Sequence, residues 1–563
     1  MSISAAIHRT LFKDKDGGGG GSGGSGALSA IIRHRFLSFL IWQSLQSTLI
    51  LFLSKTLLLS PFTKYPFSPI FLSLLYFLCF HLSLFVFSVS LFFVSSPHPL
   101  QFASPLEISL SFIHLIFVSG GEQSLLRTRV RVSLSFVLFV CLCAVAGAVS
   151  AISVCWGCDA YYDADSGSIR VGVLGFRGFV IGLIYGLHYV YKQRWVFRFP
   201  IIQRPPFFSY KMGLPLSIRQ ALRFSAVGFA LSGILSFFLP NEYKSQGSVG
   251  KFVVEQIVFY LGSFVVVLCW ELSHHVHQVL HTKRFVFAPP KGSAAAETNP
   301  SEPLLATIEE STPNSLLQYL AYLDLCMVCE NSVDSWRRAA FFEETGETYR
   351  RVIAACLRPL EHFTLKLAEG LECSSADKSM QLSDQLTSPT ERLAVLKLNV
   401  SFFDAQLCAW CARVVASLTS RSRKEDKFGV AQLSGSNAAV ISTLLSSLLA
   451  VEALMGKKTN VQSAHLMGPA GIKWATVNTG RRESTAGAMG KIRGSPLYAK
   501  AYSMADILKT SIYCIASAFQ NEMLGSGKAG LLEKEWIISS KPLYGTQELL
   551  LHKLRLFLDH QAN

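Results

Sequence analysis

The residues best suited to chemistry lie in the stretch "WELSHHVHQVLHTKRF", residues 270 to 285. It contains four histidines: His274, His275, His277 and His281. Neutral imidazole is a common ligand of transition metals, and His277 and His281 share one face of a helix at the i, i+4 spacing. The stretch therefore predicts either a metal site or a membrane helix that ends among lipid headgroups.

The distribution of histidines argues against a membrane di-iron oxidase, which needs roughly eight of them in several clusters. The chain has 14 histidines, but those outside this stretch are scattered singly. A long apolar run precedes the cluster and Lys283 and Arg284 follow it, as bases follow a membrane span. We favour a helix end without bound metal. The alternative is a polytopic membrane enzyme that uses the His274–His281 cluster to bind a metal.

Cysteine pairs offer a second kind of chemistry. Two pairs with the Cys-x-x-Cys spacing of zinc sites lie inside helical apolar patterns, where buried thiols are the commoner outcome. They are Cys326 with Cys329, and Cys408 with Cys411. A third pair, Cys155 and Cys158, lies just past an apolar run on the predicted lumenal side. A disulfide is chemically allowed there, and the sequence leaves open whether it forms.

Motifs of catalysis are absent from the sequence. It contains no G-x-x-x-x-G-K-[ST] loop and no H-E-x-x-H helix, and its G-x-S-x-G match at residues 20–24 belongs to the Gly-rich N-terminus and not to a strand–turn–helix elbow. A membrane carrier would place charges at the bilayer midplane. Arg177 and Glu255 instead lie within a turn or two of the ends of predicted spans. We therefore expect no enzyme and no cofactor, with a carrier as a further alternative.

Apolar runs of about 20 residues, the length of a membrane-spanning helix, dominate the chain up to about residue 285. We predict six spans: Phe36–Leu58, Pro69–Val94, Val132–Val154, Val171–Tyr191, Ala221–Leu239 and Phe252–Glu271. A seventh run, Pro105–Val118, is only about 14 residues long and suits an interfacial or re-entrant segment. The fold class is thus an all-α polytopic membrane protein.

Lysine and arginine in short loops predict orientation, because they are retained on the cytoplasmic side. Bases concentrate before the first span, between the second and third, and between the fourth and fifth, while the intervening loops contain few. Both termini are therefore predicted to be cytoplasmic. This topology accounts for the formal net charge of +15 without nucleic-acid binding.

The loop between the fourth and fifth spans has no acid from Lys192 to Arg223. Near an anionic membrane surface each base is worth about 1 kcal/mol of attraction, and "PPFFSYKMGLPL" within the loop could insert shallowly. The candidates for contact with the membrane surface are Lys192, Arg194, Arg198, Arg204, Lys211 and Arg219.

Composition divides the chain into four parts. Residues 1–35 are a Gly-rich N-terminus predicted to be disordered, and residues 36–285 form the six-helix transmembrane domain. Residues 286–312 are a Pro-, Ala- and Ser-rich linker. Helical spacing of apolar residues then predicts an α-helical cytoplasmic domain over 313–563.

A docking site for partners is one interpretation of "WRRAAFF" in this domain, and core packing is the other. Its candidate docking residues are Trp336, Arg337, Arg338, Phe341 and Phe342. The same two interpretations apply to "LLLHKLRLFL" near the C-terminus.

The stretch "SLLQYLAYLDLCMVCENSVDSWRRAAFFEETGETYRRVIAACLRPLE", residues 315 to 361, resembles the start of the cytoplasmic domain of the Ndc-type transmembrane nucleoporins. Upstream, "RFLSFLIWQSLQSTLI" and "SIRQALRFSAVGFALSGILSFFLP" are similar to the membrane region of plant members. The likeness extends from Arg35 to the C-terminus.

The resemblance implies an integral protein of the membrane ring of the nuclear pore complex, with six spans and both termini on the cytoplasmic or pore side. It implies that the chain anchors the complex in the nuclear envelope and supports pore assembly and transport of protein and mRNA. The implied partners are a WD-repeat nucleoporin of the Aladin type and linker nucleoporins, without direct nucleic-acid contact. Self-association is left open, and the family implies no catalysis.

Overall fold

The computed structural model describes residues 23–62, 70–100, 124–156, 158, 167–236, 238, 249–289, 292–378, 398, 400–456, 496–525, 536–538 and 540–562. Packing divides the chain into a bundle unit, Asp14–Arg284 with Asn314–Leu316, and a helical unit that includes Phe285–Pro313 and Leu317–Asn563. Within the described residues, regular structure is helical apart from an isolated bridge between Ser96 and Val196. This confirms the predicted all-α class.

Six long helices form the bundle unit. They are α1 (Gly23–Leu53), α2 (Ile70–Val94), α3 (Ser124–Cys155), α4 (Gly167–Tyr191), α5 (Pro206–Ser236) and α6 (Val249–His281). A π-helical turn, Ser54–Leu58, extends α1. By length and composition, α1 to α4 and α6 contain segments able to cross a membrane, which agrees with five of the six predicted spans.

Five of these helices begin earlier than the apolar runs predicted, and α1 and α5 do so by the largest margins. α5 begins at Pro206, inside the basic segment that the sequence suggested was a loop, and its described part ends at Ser236. Proline suits the first helical position because its missing N–H is not needed there. α1 begins at Gly23, inside the part predicted to be disordered. Hydrophobic runs mark only the part of a helix that is in lipid, so its polar extensions are not predicted by them.

One end of the bundle brings together the start of α1 and the ends of α2, α4 and α6, and we call it the basic end. The guanidinium of Arg35 donates to the carbonyl oxygens of His281 and Lys283, each at 2.7 Å. The backbone N–H of Ser96, after α2, donates to the carbonyl oxygen of Trp195, after α4, at 3.2 Å. α1 thus begins at the basic end, and α6 finishes there.

The opposite end brings together the end of α1, the start of α2 and the end of α3. Lys55 Nζ donates to the carbonyl oxygen of Trp156 at 2.6 Å, and the Tyr76 ring stacks on Trp156 with centroids 4.1 Å apart. Consecutive helices therefore run antiparallel, as alternating membrane crossings require. The predicted re-entrant run Pro105–Val118 lies outside the described residues.

Glycines allow α3 and α4 to pack closely. Gly178 and Gly182 form a G-x-x-x-G pair on α4. A Cβ at Gly178 would lie 2.6 Å from the carbonyl oxygen of Gly147, and one at Gly182 would overlap the carbonyl oxygen of Cys143. Small residues let helix backbones approach in a membrane, where lipid supplies no hydrophobic drive for association.

The helical unit packs its helices around a buried core, and all of those described except α11 are shorter than the helices of the bundle unit. They are α7 (Ala294–Thr298), α8 (Glu302–Glu310), α9 (Leu316–Glu330), α10 (Ser335–Ala339), α11 (Glu347–Lys378), α12 (Ala405–Glu425), α13 (Val430–Leu433), α14 (Ser436–Leu454), α15 (Pro496–Ala518), α16 (Gln520–Gly525) and α17 (Gln547–Ala562). Buried Thr364 and Ser447 join α11 to α14 through a 2.6 Å hydrogen bond between their hydroxyl oxygens.

α14 is as apolar as a membrane span, but its packing differs. Of its most apolar segment 78% is buried inside the protein, against 22–50% for the five such segments of the bundle unit. A helix that is hydrophobic all round is either a membrane span or a core helix. Its burial by protein indicates that α14 is the central core helix of the helical unit.

Candidate functional site

His277 and His281 are fully buried at the basic end, among aromatic rings. Their ring centroids are 4.2 Å apart, and the His277 ring lies 5.1 Å from that of Phe39 and 5.2 Å from that of Phe197. His281 Nδ1 lies 2.9 Å from the carbonyl oxygen of His277, so this nitrogen carries the proton and donates. These two imidazoles act as packing groups between α1 and α6.

His274 and His275 face other helices. His274 Nδ1 lies 3.3 Å from the hydroxyl of Tyr189 on α4. His275 Nε2 donates to the carbonyl oxygen of Tyr210 on α5, at 3.2 Å. Across the described ranges, no three His, Cys, Asp or Glu side chains converge as a metal site would need. The four histidines thus share a stretch of sequence without sharing a site.

Arg177 and Glu255, the charges within two of the predicted spans, are buried in α4 and α6. The guanidinium of Arg177 lies over the Phe259 ring, 3.8 Å from its centroid, and its Nε donates to the hydroxyl oxygen of Ser232 at 3.4 Å. A cation over an aromatic face is stabilised by the ring quadrupole, so these contacts help to stabilise the buried arginine.

Arg194 differs from the other predicted membrane-contact residues. Its two terminal guanidinium nitrogens donate to the two carboxylate oxygens of Glu271, both at 2.7 Å, and Glu271 is 1% exposed. This bidentate pair joins the segment after α4 to the last turns of α6. The charge of Arg194 is therefore neutralised inside the bundle unit, so this residue differs from a free membrane-contact base.

The remaining predicted contact residues are exposed at the basic end or along α5. They are Lys192, Arg198, Arg204, Lys211 and Arg219. Large apolar side chains are exposed in the same segment, among them Ile201 and Phe207 at 86% and 70%. Basic and apolar side chains that share one exposed segment are typical of a surface at the membrane interface.

The "WRRAAFF" stretch is mostly core. Arg337 is 1% exposed and pairs with the fully buried Asp324 of α9, with an Nη2 to Oδ2 distance of 2.8 Å. The same carboxylate accepts the backbone N–H of Phe287 at 2.9 Å, and Arg337 donates to the carbonyl oxygen of Phe287 at 3.0 Å. The pair thereby fixes the chain just after residue 285 to α9.

Arg338 is also buried and closes the end of α9. It forms a bidentate pair with Glu425 of α12, at 2.7 and 2.8 Å, and donates to the carbonyl oxygens of Val328, Cys329 and Asn331. The last carbonyls of a helix lack partners within it, so this arginine supplies them. Phe341 and Phe342 are buried too, whereas Trp336 is half-buried at the surface.

The cysteine pairs of the helical unit lie inside α9 and α12, as predicted. Cys326, Cys329, Cys408 and Cys411 are all buried. Burial raises the pKa of the Cys329 and Cys411 thiols well above the ordinary value of a thiol, as expected for cysteines packed in a core. Cys155 and Cys158 are buried and are not joined in a disulfide in this structure.

Sequence reasoning did not identify the arginines that supply partners to helix ends, Arg35 and Arg338, or the partner of Arg194. One signal was available. Glu271 is an acid within the last apolar helix, and a lone charge there costs about 2.5–3.5 kcal/mol, so a nearby base should have been sought.

Comparison with protein families supplies the identity that the geometry does not. The model described as nucleoporin protein Ndc1-Nup matches residues 30–400, more than half of the chain. The match covers the helices of the bundle unit and the first part of the helical unit, and it ends before the C-terminus to which the sequence likeness was expected to extend. No curated protein matches the chain. This chain therefore belongs to the Ndc1-Nup family, and it is a nucleoporin of the nuclear pore membrane.

Proposed function

We propose that this nucleoporin anchors the nuclear pore complex in the nuclear envelope and recruits other nucleoporins to it, supporting pore assembly and nucleocytoplasmic transport. The observation that carries the proposal is that one chain of this family joins a bundle of membrane-spanning helices to a separate helical unit. The family match also favours a structural protein over an enzyme.

The bundle unit would hold the chain in lipid with its basic end at the cytoplasmic or pore side. The positive-inside rule supports this orientation. Of the five exposed bases, Lys192, Arg198 and Arg204 precede α5 and would then lie at headgroup level, where each would attract anionic lipid by about 1 kcal/mol. Arg194 is omitted from this role because Glu271 already neutralises it.

The helical unit would dock other nucleoporins. The family resemblance suggests a WD-repeat partner of the Aladin type and linker nucleoporins, without direct nucleic-acid contact. Arg338 holds the ends of α9 and α12 together, and the loops that follow them expose Val333 at 83% and Phe428 at 53%. With the half-buried Trp336, these side chains are the docking surface we propose.

A fluorescent fusion of the full chain tests the anchoring role. We expect a punctate nuclear rim that coincides with a core nucleoporin. A reticular signal throughout the cytoplasm would instead favour an enzyme or carrier of the endoplasmic reticulum.

Recruitment is tested with Val333→Asp/Phe428→Asp in the same fusion. We expect the rim signal to remain while co-purification of the WD-repeat nucleoporin falls. Leu365→Asp/Tyr502→Asp, at positions on α11 and α15 that are 45% and 42% exposed, is the matched control. Equal losses in both variants would exclude the proposed surface.

A further inference from the structure

A cavity of about 450 Å³ opens at the basic end of the bundle unit. Its walls come from the segment between α4 and α5, the first turns of α5 and the last turns of α6. Three bases line it, namely Arg198, Arg204 and Lys283, and its lining includes no aspartate or glutamate. The cavity therefore concentrates positive charge in a concave site.

Within the part of the chain that the structure describes, the hydrogen bonds that build the walls leave these three bases without an acidic partner. Gln278 accepts the backbone N–H of Arg198 at 3.2 Å, and His275 donates to the carbonyl oxygen of Tyr210. A Cβ at Gly213 would overlap the His275 ring, so glycine is what lets α5 approach α6 here. The Arg204 guanidinium donates to the uncharged sulfur of Met212.

A further donor lies within the lining. Gln203 accepts the backbone N–H of Arg284 at 3.2 Å through Oε1, while its Nε2 is buried and finds no acceptor within the described ranges. A buried amide donor without an acceptor is costly unless a ligand or water supplies one. The cavity also lies at the N-terminus of α5, a helix of 31 residues without acid in its first turn, where backbone N–H groups favour anions.

The rim of the cavity is apolar. Ile201, Ile202 and Met212 line it and are 86%, 65% and 63% exposed. A free phosphate would occupy only a small part of a cavity within the usual range for organic ligands, roughly 300–1,000 Å³, and would leave this rim in water. A ligand with a phosphate at one end and acyl chains at the other matches both surfaces.

We propose that this cavity binds the phosphate headgroup of one anionic phospholipid, held by Arg198, Arg204 and Lys283, with its acyl chains against the apolar rim. Guanidinium groups recognise phosphate oxygens in pairs, and the ammonium of lysine adds a point charge. The site rests on the membrane placement proposed above and goes beyond it, because diffuse attraction to a charged surface requires no cavity.

The test is lipid binding by the purified full chain in an uncharged detergent. Apparent Kd is obtained by titrating dioctanoyl phosphatidic acid and following the rise in melting temperature, with dioctanoyl phosphatidylcholine and inorganic phosphate as comparison probes. The site variant is Arg198→Gln/Arg204→Gln. The matched control, Lys211→Gln/Arg219→Gln, removes the same charge from exposed positions outside the lining.

We expect saturable binding of phosphatidic acid that weakens about tenfold for each base removed from the cavity, and control binding within about twofold of wild type. If both variants bound phosphatidic acid more weakly by the same factor, the binding would be general attraction to surface charge, and the proposal would be overturned. Equal affinity for phosphatidylcholine, or competition by inorganic phosphate at the same concentration, would overturn it too. Lys283→Gln provides a second test if the double variant does not fold. Loss of this binding with an intact punctate rim would leave the anchoring role standing.

Discussion

The carboxylate of Glu271 on α6 is held by both terminal nitrogens of Arg194, at 2.7 Å each, with the acid 1% exposed and the base 11% exposed. The two residues are 77 positions apart in the chain. The pair joins the segment after α4 to the last helix of the bundle unit. It therefore holds these two parts of the basic end together.

Breaking this pair should destabilise the bundle unit strongly. Removal of one partner from a buried ion pair leaves an uncompensated charge and typically costs about 3–5 kcal/mol. We expect Glu271→Ala and Arg194→Ala each to lower the melting temperature of the full chain in detergent, and the double variant to cost less than their sum. Lys192→Ala, at an exposed position, should change little. Additive losses would show that the pair contributes no coupling.

Enlarging Gly182 should separate α3 from α4. Even a Cβ at this position overlaps the carbonyl oxygen of Cys143, so Gly182→Leu forces the helices apart and should cost more than the ~1–3 kcal/mol typical of overpacking. Gly172→Leu on the same helix is the control, since its Cβ would meet nothing within 4 Å. Circular dichroism during thermal unfolding in detergent compares them. Similar melting temperatures for the two variants would contradict the close packing.

The Arg337–Asp324 pair distinguishes core packing from partner docking at "WRRAAFF". Because both side chains are buried, Arg337→Met should remove the positive charge opposite the Asp324 carboxylate and lower stability by about 3–5 kcal/mol, and Asp324→Leu in addition should recover part of it. Denaturant unfolding of the full chain measures both. If Arg337→Met left stability unchanged but abolished partner binding, Arg337 would be a docking residue and not a core residue.

Acid should loosen the helical unit through Glu425. Hydrogen bonds from Arg338 lower the pKa of this carboxyl below its ordinary value. Its contribution to stability is therefore complete above the unfolded-state pKa, about 4.3, and is lost as pH falls through the folded value. Glu425→Gln should lower the melting temperature at neutral pH and flatten its decline toward pH 3. The control is Glu344→Gln at an exposed position. A variant that declines as steeply as wild type would remove this carboxyl from the acid response.

The histidine cluster should leave the protein free of stoichiometric metal. His277 and His281 pack against phenyl rings, and His274 and His275 face different helices. Elemental analysis of the purified full chain should give well below one iron or zinc per chain, and EDTA should not alter its melting temperature. A full equivalent of iron that disappears in His274→Ala/His277→Ala would restore the enzyme alternative.

Much of the bundle unit was predictable, because crossing hydrocarbon demands a long apolar run that is visible in one stretch of sequence. The helical start of α5 was not, since its bases interrupt that run. α14 shows that such a run is not sufficient for a span. Its sequence satisfies the requirement for a span, and only the helices packed around it indicate a core helix.

Whether the docking candidates are exposed or buried was harder to predict, for a physical reason. Arg337 and Arg338 have the composition of an exposed basic surface, and a charged side chain is seldom buried without a partner. Their partners are Asp324, on the preceding long helix, and Glu425, which is 87 residues further along the chain. Local periodicity contains no information about such a partner.

The sequence by itself determined that this chain is helical, which segments can enter a membrane and where its bases concentrate, because each of these depends on neighbouring residues. The tertiary structure decided which charges are buried and which are exposed. The free energy of burying a charge depends on the group opposite it, and in Arg194 with Glu271 that group comes from a distant helix.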